Sequence, residues 1–222
     1  MQRRTAMAAL FPRWSNRVAR GVIAAVVLLV LGLPVALMAW VRTPYNLGQG
    51  YPIEQPVQFD HRHHVADDGI DCRYCHSAVE RSSTAGIPST SLCMNCHGQI
   101  WNTSPLLAPV RASYETGRPI AWNRVHQLPD FVYFDHAIHV GKGIGCVSCH
   151  GRVDLMPRVF QVAPLTMGWC LDCHRAPERH LRPLDQITNM AWTPDRPQLE
   201  VGRELKARYG VREMTTCTTC HR

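Results

Sequence analysis

The pattern of hydrophobic and polar positions divides the chain into two parts. Residues 21–41 form a run of 21 residues without a charged side chain. A helix of that length, rising about 1.5 Å per residue, spans the roughly 30 Å hydrocarbon core of a membrane. After this run the chain has no long periodic segment except a helical pattern near 198–209. The pattern predicts one N-terminal transmembrane helix, followed by a loop-rich and mainly short-helical domain with little or no sheet.

Basic residues flank the apolar run unevenly. Residues 1–20 carry five arginines and no acidic residue, whereas a single arginine, Arg42, closes the run. This bias predicts a cytoplasmic N-terminus, a single-pass anchor in the inner (cytoplasmic) membrane, and a periplasmic or extracytoplasmic domain. A cleaved signal peptide is the alternative, but the run is longer than a usual signal core and no clear small-x-small site follows it. We therefore expect a cytoplasmic basic tail at 1–20, the anchor at 21–41, an extended Pro-, Gly- and Gln-containing linker at 42–58, and a folded domain at 59–222.

The net charge of +7 does not indicate a nucleic-acid-binding protein. Six arginines and no acidic residue lie in residues 1–42, which leaves 18 basic and 17 acidic residues in the remainder. The positive charge therefore belongs almost entirely to the predicted anchor and its flanks, and the remainder has only one basic residue more than it has acidic ones, too few for a basic binding face.

The ten cysteines form five C-x-x-C pairs, and a histidine follows every pair. C-x-x-C-H is the signature of covalent c-type haem attachment, in which two thioethers hold the porphyrin and the adjacent histidine binds the iron. A zinc ribbon needs four ligands per site and no such histidine, thioredoxin-like pairs occur singly, and disulfide frameworks do not favour a fixed gap. The sequence therefore predicts five covalently attached c-type haems. The attachment cysteines are Cys72, Cys75, Cys93, Cys96, Cys146, Cys149, Cys170, Cys173, Cys217 and Cys220, and the proximal iron ligands are His76, His97, His150, His174 and His221.

A duplicated block organises the haem domain. Residues 59–76 read FDHRHHVADDGIDCRYCH, and residues 134–150 read FDHAIHVGKGIGCVSCH. Phe-Asp-His, a second His before Val, Gly-Ile and C-x-x-C-H recur in the same order, and the later copy is one residue shorter. A second motif begins 21 residues after the first in one copy and 24 residues after it in the other. We predict two di-haem repeats, 59–97 and 134–174, and a fifth haem at 217–221.

Seven histidines lie outside the motifs and are candidates to bind iron from the opposite side. In the repeat, His61 aligns with His136, and His64 aligns with His139. The pattern F-x-H-x-x-H resembles that of class III multihaem cytochromes, in which two histidines on one helical face serve two different haems. The repeat therefore predicts four distal ligands. His63 falls out of register and is expected to be exposed.

A fifth distal ligand is needed if every iron is six-coordinate. We choose His126, which lies shortly before the second block, although it could also be an ordinary buried or quinone-facing residue. Met156 is the main competitor, because His/Met ligation would raise the reduction potential of that haem. His180 and Met214 remain further alternatives. An unfilled sixth position would instead make one haem a reaction site.

The longer stretches around these motifs resemble a known family. Residues 124–156, RVHQLPDFVYFDHAIHVGKGIGCVSCHGRVDLM, and residues 167–183, MGWCLDCHRAPERHLRP, are similar to the pentahaem cytochrome c subunit of bacterial alternative complex III. That complex oxidises menaquinol in the membrane. The resemblance implies as partners an iron–sulfur subunit and a polytopic membrane subunit of a quinol-oxidising complex. It also implies a monohaem cytochrome, a copper protein or an oxidase as the electron acceptor.

Three functions are compatible with these features. The first is an electron-transfer subunit without substrate chemistry of its own, in which every haem is low-spin. The second is a stand-alone, single-anchor multihaem quinol dehydrogenase, which the 16-residue stretch 43–58 before the first iron ligand disfavours. The third is a multihaem reductase with one open haem, which the surplus of candidate distal ligands disfavours. We prefer the first hypothesis, an electron-transfer subunit.

Overall fold

The computed structural model describes residues 11–12 and 14–221. Arg3, Arg4 and Arg13 of the predicted basic tail therefore lie outside the described residues. The chain divides into two compact units, Met1–Leu47 and Gly48–Arg222. The α-helices of the described part are α1 (Ser15–Trp40), α2 (Cys72–Cys75), α3 (Thr90–His97), α4 (Ala108–Thr116), α5 (His136–Gly141), α6 (Val147–His150), α7 (Met167–Arg175), α8 (Gln198–Arg208) and α9 (Cys217–Cys220). A π-helix covers His63–Asp67, and single 3-10 turns cover Pro105–Leu107, Val153–Leu155, Pro177–Arg179 and Leu184–Gln186.

Helix α1 contains the apolar run. It begins six residues before the uncharged segment, at Ser15, and continues through Pro34. Its last carbonyls find partners after the helix ends, because the side chains of Thr43 and Asn46 both donate to the Trp40 carbonyl, at 2.8 and 2.6 Å. The helix has no buried residue and is long and apolar enough to cross a membrane, a property that signal sequences share.

Short helices and loops build the second unit, as the sequence predicts. Within the described residues the only β-pairing consists of three isolated bridges, Gln49 with Gln161, Val132 with His221, and Ile144 with Leu181. Every C-x-x-C pair lies on a helical turn, so its two cysteines at i and i+3 share one face. The fold is therefore a loop-rich scaffold that presents pairs of thiols.

The clustered aliphatic core is small and lies in the tail that follows the second repeat. Leu181, which is fully buried, packs with Val201 and Leu205 of α8. Helix α8 approaches the Pro177–Arg179 turn through Gly202, where an added Cβ would clash with the Glu178 carbonyl oxygen. Helix α8 matches the helical pattern that the sequence shows near 198–209.

The second half of the expected linker, residues 48–58, belongs to the second compact unit and is bound to its loops. The Gln49 side chain donates to the carbonyl of Val162 at 2.7 Å, and Gln55 exchanges hydrogen bonds with the backbone of Asn123. Glu54 pairs with Arg158. The sequence predicts an extended segment here. Its glutamines do more than keep the chain soluble, because they attach residues 48–58 to loops that lie more than 60 positions later.

Candidate haem-binding site

The motif thiols are free, and eight of the ten cysteines are partly buried, whereas Cys96 and Cys217 are exposed. No disulfide forms among the ten cysteines. Burial raises the pKa of the Cys149 thiol to about 12 and that of Cys72 to about 11. A structural zinc site needs four ligands, whereas no group of three or more His, Cys, Asp or Glu side chains in the described residues is arranged to hold one metal ion. Neutral, paired thiols on helical turns fit thioether attachment better.

A single chamber connects the motifs. Its volume is about 2840 Å³, whereas a pocket for one small ligand has roughly 300–1,000 Å³. Nine of the ten cysteines and eleven of the twelve histidines lie on its wall. The space that a domain of this size would normally fill with aliphatic side chains is therefore lined by haem-binding residues, which fits several bulky porphyrins.

The motifs follow one another in space in an order that differs from their order in the chain. A thiol of each motif lies close enough to a thiol of the next motif to influence its pKa. The neighbouring thiols are Cys93 and Cys75, then Cys72 and Cys146, then Cys149 and Cys173, then Cys170 and Cys220. The spatial order of the motifs is therefore 93–97, 72–76, 146–150, 170–174 and 217–221.

Backbone carbonyls orient most of the candidate iron ligands. In seven of the twelve histidines, Nδ1 donates to a carbonyl oxygen at 2.6–3.1 Å, which leaves Nε2 as the metal-binding atom. Such a bond fixes both the tautomer and the direction of the ring. All seven are candidate ligands named from the sequence. They are His76, His97, His174 and His221 among the proximal ligands, and His64, His136 and His139 among the distal ligands.

Three pairs of rings have the separation that an iron between them requires. Two metal–nitrogen bonds of roughly 2 Å, plus the distance from each nitrogen to its ring centre, amount to about 6 Å between centroids. The centroids of His64 and His97 lie 6.0 Å apart, and those of His139 and His174 lie 6.1 Å apart. In both copies the second histidine of the block thus faces the proximal histidine of the following motif.

The third pair links the first histidine of a block to its own motif. The rings of His136 and His150 are nearly parallel, with centroids 6.4 Å apart. His61 of the other copy interacts most strongly with His76 among its charged neighbours. Burial lowers the pKa of His150 to about 3 and that of His61 to about 4, so both rings are neutral and able to bind a metal.

His126 lies against the third motif. Its ring centroid is 4.5 Å from that of His150, too short a separation for an iron between these two rings. Its Nε2 is buried without a hydrogen-bond partner, and burial lowers its pKa. A buried ring nitrogen without a partner fits a metal ligand. His126 as the fifth distal ligand stays a prediction, and the structure places the residue beside His136 and His150.

The other candidate iron ligands lie in different surroundings from one another. Met156 is 6% exposed at the end of the Val153–Leu155 turn. Met214 and His180 lie on the chamber wall, and the Met214 carbonyl accepts the Nδ1 hydrogen of His174 at 2.9 Å. His63 is exposed, as the sequence predicts, and its Nδ1 lies 3.3 Å from the Asp67 carboxylate.

Two kinds of residue have functional positions that the sequence analysis did not assign. Phe59 and Phe134 repeat in the blocks, and each stacks on the second histidine of its own copy. Their recurrence before Asp-His was an available signal. Arg182 lies beside the third motif, next to the small residue Gly145. No sequence pattern marks Arg182, because its contacts depend on the path of the tail.

Comparisons with known proteins agree with this geometry. The family model for cytochrome c7 and related cytochrome c matches residues 132–222, which contain three of the five motifs. The multihaem cytochrome c subunit of menaquinone reductase from Nitratidesulfovibrio vulgaris is 39% identical over 122 residues. That match covers 54% of this chain and 56% of the relative, so the chain spans about half the length of the curated relative that it matches. The chain is therefore similar to multihaem c-type cytochromes, among them a menaquinone reductase multihaem subunit, and its residues 132–222 are cytochrome c7-like.

Proposed function

We propose that this chain is a membrane-anchored pentahaem cytochrome. It would relay electrons from a quinol-oxidising membrane complex of the alternative complex III type to a periplasmic or oxidase acceptor. The observation that carries the proposal is the unbroken spatial order of five C-x-x-C-H motifs along one chamber. When bound, the haems supply one-electron oxidation and reduction. The chain itself contributes their spacing, their axial ligands and the charges around them.

The proposed ligand sets give the chain no substrate chemistry of its own. The motif histidines would hold the iron of each haem, and His61, His64, His136 and His139 would supply its second ligands. His126 is the proposed fifth distal ligand, and Met156 is retained as the alternative. Carbonyl bonds to Nδ1 hold seven of these rings in place, so the ligands need little rearrangement when the iron changes its charge. Saturated coordination would make every haem low-spin.

The two ends of the motif order differ in their surroundings. At one end, His97 donates to the carbonyl of Ile100, beside the exposed Trp101. At the other end, His221 donates to the carbonyl of Phe131, and exposed Phe131 and Tyr133 flank the fifth motif. We assign the fifth motif to the acceptor side. Deleting residues 215–222 should then slow reduction of the acceptor while the other haems remain reducible, and unchanged acceptor kinetics would remove this assignment.

The relative supports a second possible direction of electron flow, from a soluble donor through the chain to the quinone. The matched protein is a subunit of a menaquinone reductase, whose name describes delivery of electrons to the quinone. A linear order of motifs serves either direction. The partners therefore decide the direction, and both forms require a membrane complex that contains other subunits.

The deciding experiment is stopped-flow reduction by menaquinol, followed in the haem α-band. The full-length chain in detergent is compared with its mildly solubilised native assembly. Fast reduction in the assembly alone supports the relay and places quinol oxidation in partner subunits. Equally fast reduction of the isolated chain would favour the stand-alone quinol dehydrogenase. A native assembly that menaquinol does not reduce, but that passes electrons from a reduced soluble cytochrome to menaquinone, would favour the reverse direction.

A further inference from the structure

Arg182 is a buried cation without a carboxylate partner in the part of the chain that the structure describes. The residue is 7% exposed. One terminal nitrogen donates to the carbonyls of Asn189 at 2.9 Å and Gln186 at 3.4 Å, and its guanidinium carbon lies 5.1 Å from the ring centroid of Trp192. Nε is buried and has no hydrogen-bond partner. Arginine remains protonated in such surroundings, so a full positive charge is fixed here.

The guanidinium lies against Gly145, the residue that precedes the first cysteine of the third motif. The Arg182 backbone N–H donates to the carbonyl of Gly143 at 2.9 Å, and Ile144 bridges to Leu181. A Cβ placed on Gly145 would clash with the Arg182 guanidinium and Cδ, so the Arg182 side chain occupies the space that this glycine leaves open. The next residue is Cys146, whose thiol interacts electrostatically with Arg182.

The position equivalent to Gly145 in the first copy holds an acidic residue. Asp71 takes the place of Gly145 immediately before the first cysteine of its motif. Its carboxylate interacts electrostatically with the Cys72 thiol and accepts hydrogen bonds from Arg73 and Thr188. Asp71 is paired with Arg73, and both charges also interact electrostatically with Cys146. The charge beside motif 72–76 is therefore a paired one, whereas Arg182 beside motif 146–150 has no carboxylate partner in the described residues.

We propose that Arg182 tunes the haem at Cys146 and Cys149, raising its reduction potential relative to that of its neighbour at Cys72 and Cys75. Reduction removes one positive charge from the iron, and a fixed cation nearby favours the reduced state. Local net charge and burial are established determinants of haem potential. Burying an unpaired guanidinium lowers the stability of the fold. Its effect on the reduction potential gives a reason why the charge is retained there. The inference rests on haem attachment at this motif and is independent of the direction of electron flow.

The test is a potentiometric titration of the full-length haem-loaded chain in detergent, followed in the α-band. In Arg182→Met, which replaces the charge by an apolar group of similar length, one component should become at least tenfold harder to reduce. For a one-electron couple this corresponds to a fall of about 59 mV. Arg182→Lys, which keeps the charge, should restore most of the shift. Arg179→Gln, an exposed arginine three residues away, should leave all components unchanged.

Two results would overturn the inference. One is an Arg182→Met chain with its full haem content and unchanged midpoints. The other is an equal fall in Arg182→Lys, which would assign the effect to packing and not to charge. Haem content is measured first from the pyridine haemochrome spectrum. If Arg182→Met loses haem, Arg182→Gln provides a second neutral replacement that can still donate hydrogen bonds, and the same midpoint criterion applies to it. Loss of haem in both variants would also count against a tuning role, because it assigns Arg182 to folding.

Discussion

The two copies of the repeated block arrange their rings in the same way although their lengths differ. Phe59 stacks on His64 with centroids 4.3 Å apart and planes at 24°, and Phe134 stacks on His139 at 4.4 Å and 29°. The second histidine of each copy also donates Nδ1 to the carbonyl of the aspartate four residues earlier. The arrangement of the rings is therefore the feature that both copies preserve.

The additional residue of the first copy is absorbed in its helix. His64 and Cys72 are eight positions apart, whereas His139 and Cys146 are seven apart. The first copy forms the π-helix His63–Asp67 where the second forms α5. The amide of the isoleucine after the glycine bonds to the second histidine's carbonyl in both, at 3.0 Å. A single inserted residue in a helix commonly produces such a π-turn.

The copies differ most in what covers them. The tail that follows the second repeat packs against Gly143 and Gly145, whereas an added Cβ on Gly69 of the first copy would meet no atom within 4 Å. The two copies therefore repeat the arrangement of their histidine and phenylalanine rings, but they do not repeat the packing of other segments against the block. Mutations in the two copies should therefore agree where they affect rings and disagree where they affect packing.

The largest effect is expected from loss of a distal ligand. His64→Ala and His139→Ala should each convert one haem per chain from low-spin to high-spin, because each removes one axial imidazole. Electron paramagnetic resonance of the oxidised chain measures the change. His63→Ala, which removes an exposed histidine, is the control and should leave the spectrum unchanged. A high-spin signal in only one of the two variants would break the equivalence of the copies.

A smaller effect, which should differ between the two copies, is expected at the equivalent glycines of the blocks. Gly69 and Gly143 both have positive φ, at 70° and 87°. Gly69→Ala should lower the free energy of unfolding by about 1 kcal/mol through backbone strain alone. Gly143→Ala should cost at least about 2 kcal/mol, because its Cβ would also lie 2.9 Å from the Arg182 carbonyl oxygen. Chemical denaturation followed by circular dichroism measures both, and equal losses would contradict the difference in packing.

The π-helix provides a third test. Deleting Ala66 removes the additional residue, so the first copy should adopt the α-helical form of the second and keep every haem low-spin. Deleting Gly141 from α5 is the matched control. The second copy has no residue to spare, and loss of one residue turns an α-helix by about 100°. That variant should show a high-spin haem, and a high-spin signal after deletion of Ala66 would argue against absorption of the insertion by the π-helix.

The smallest effect is expected at Asp71. Hydrogen bonds from Arg73 lower the pKa of this carboxyl to about 2, from a usual value of 3.8. Because the pKa is lower in the folded state, the stabilisation is complete above the unfolded value and is lost as the pH falls through about 2. Asp71→Asn should cost less than about 1 kcal/mol at pH 7, since the pair is partly exposed to solvent. Unfolding measured between pH 7 and pH 2 should show the difference in unfolding free energy between variant and parent shrink steadily below about pH 4. Glu80→Gln, at the other carboxylate of Arg73, should cost less still, and a loss that is undiminished at pH 2 would exclude the ionised carboxylate as its cause.

The sequence predicts the features that depend on local spacing. It gives the apolar helix, the short helices at the motifs, the absence of sheet in the described residues, and the alignment of His61 and His64 with His136 and His139. These depend on residues a few positions apart. The choice of His97 as the partner of His64 is not readable from the sequence, because it depends on how residues 77–92 fold back.

The tail and the linker could not be predicted for the same reason. Arg182 reads as an ordinary surface arginine, and it is buried because Gly145, 37 positions earlier, leaves room for it. Gln49 and Gln55 read as solvated linker residues, but both have partners more than 60 positions away. Neither the burial of Arg182 nor the contacts of the two glutamines produces a periodic pattern in the sequence. The order of the motifs in space likewise depends on long-range packing.

The small aliphatic cluster formed by Leu181, Val201 and Leu205 has a consequence for how the protein matures. Because the clustered core lies in the tail, a newly made chain without cofactors can bury little apolar surface between residues 59 and 133. We expect haem supply to act as a checkpoint against degradation, so that incompletely loaded chains are removed and complete ones persist. Pulse proteolysis of chains made without haem attachment should cut first within 59–133, and cleavage starting in the α8 segment would contradict this expectation.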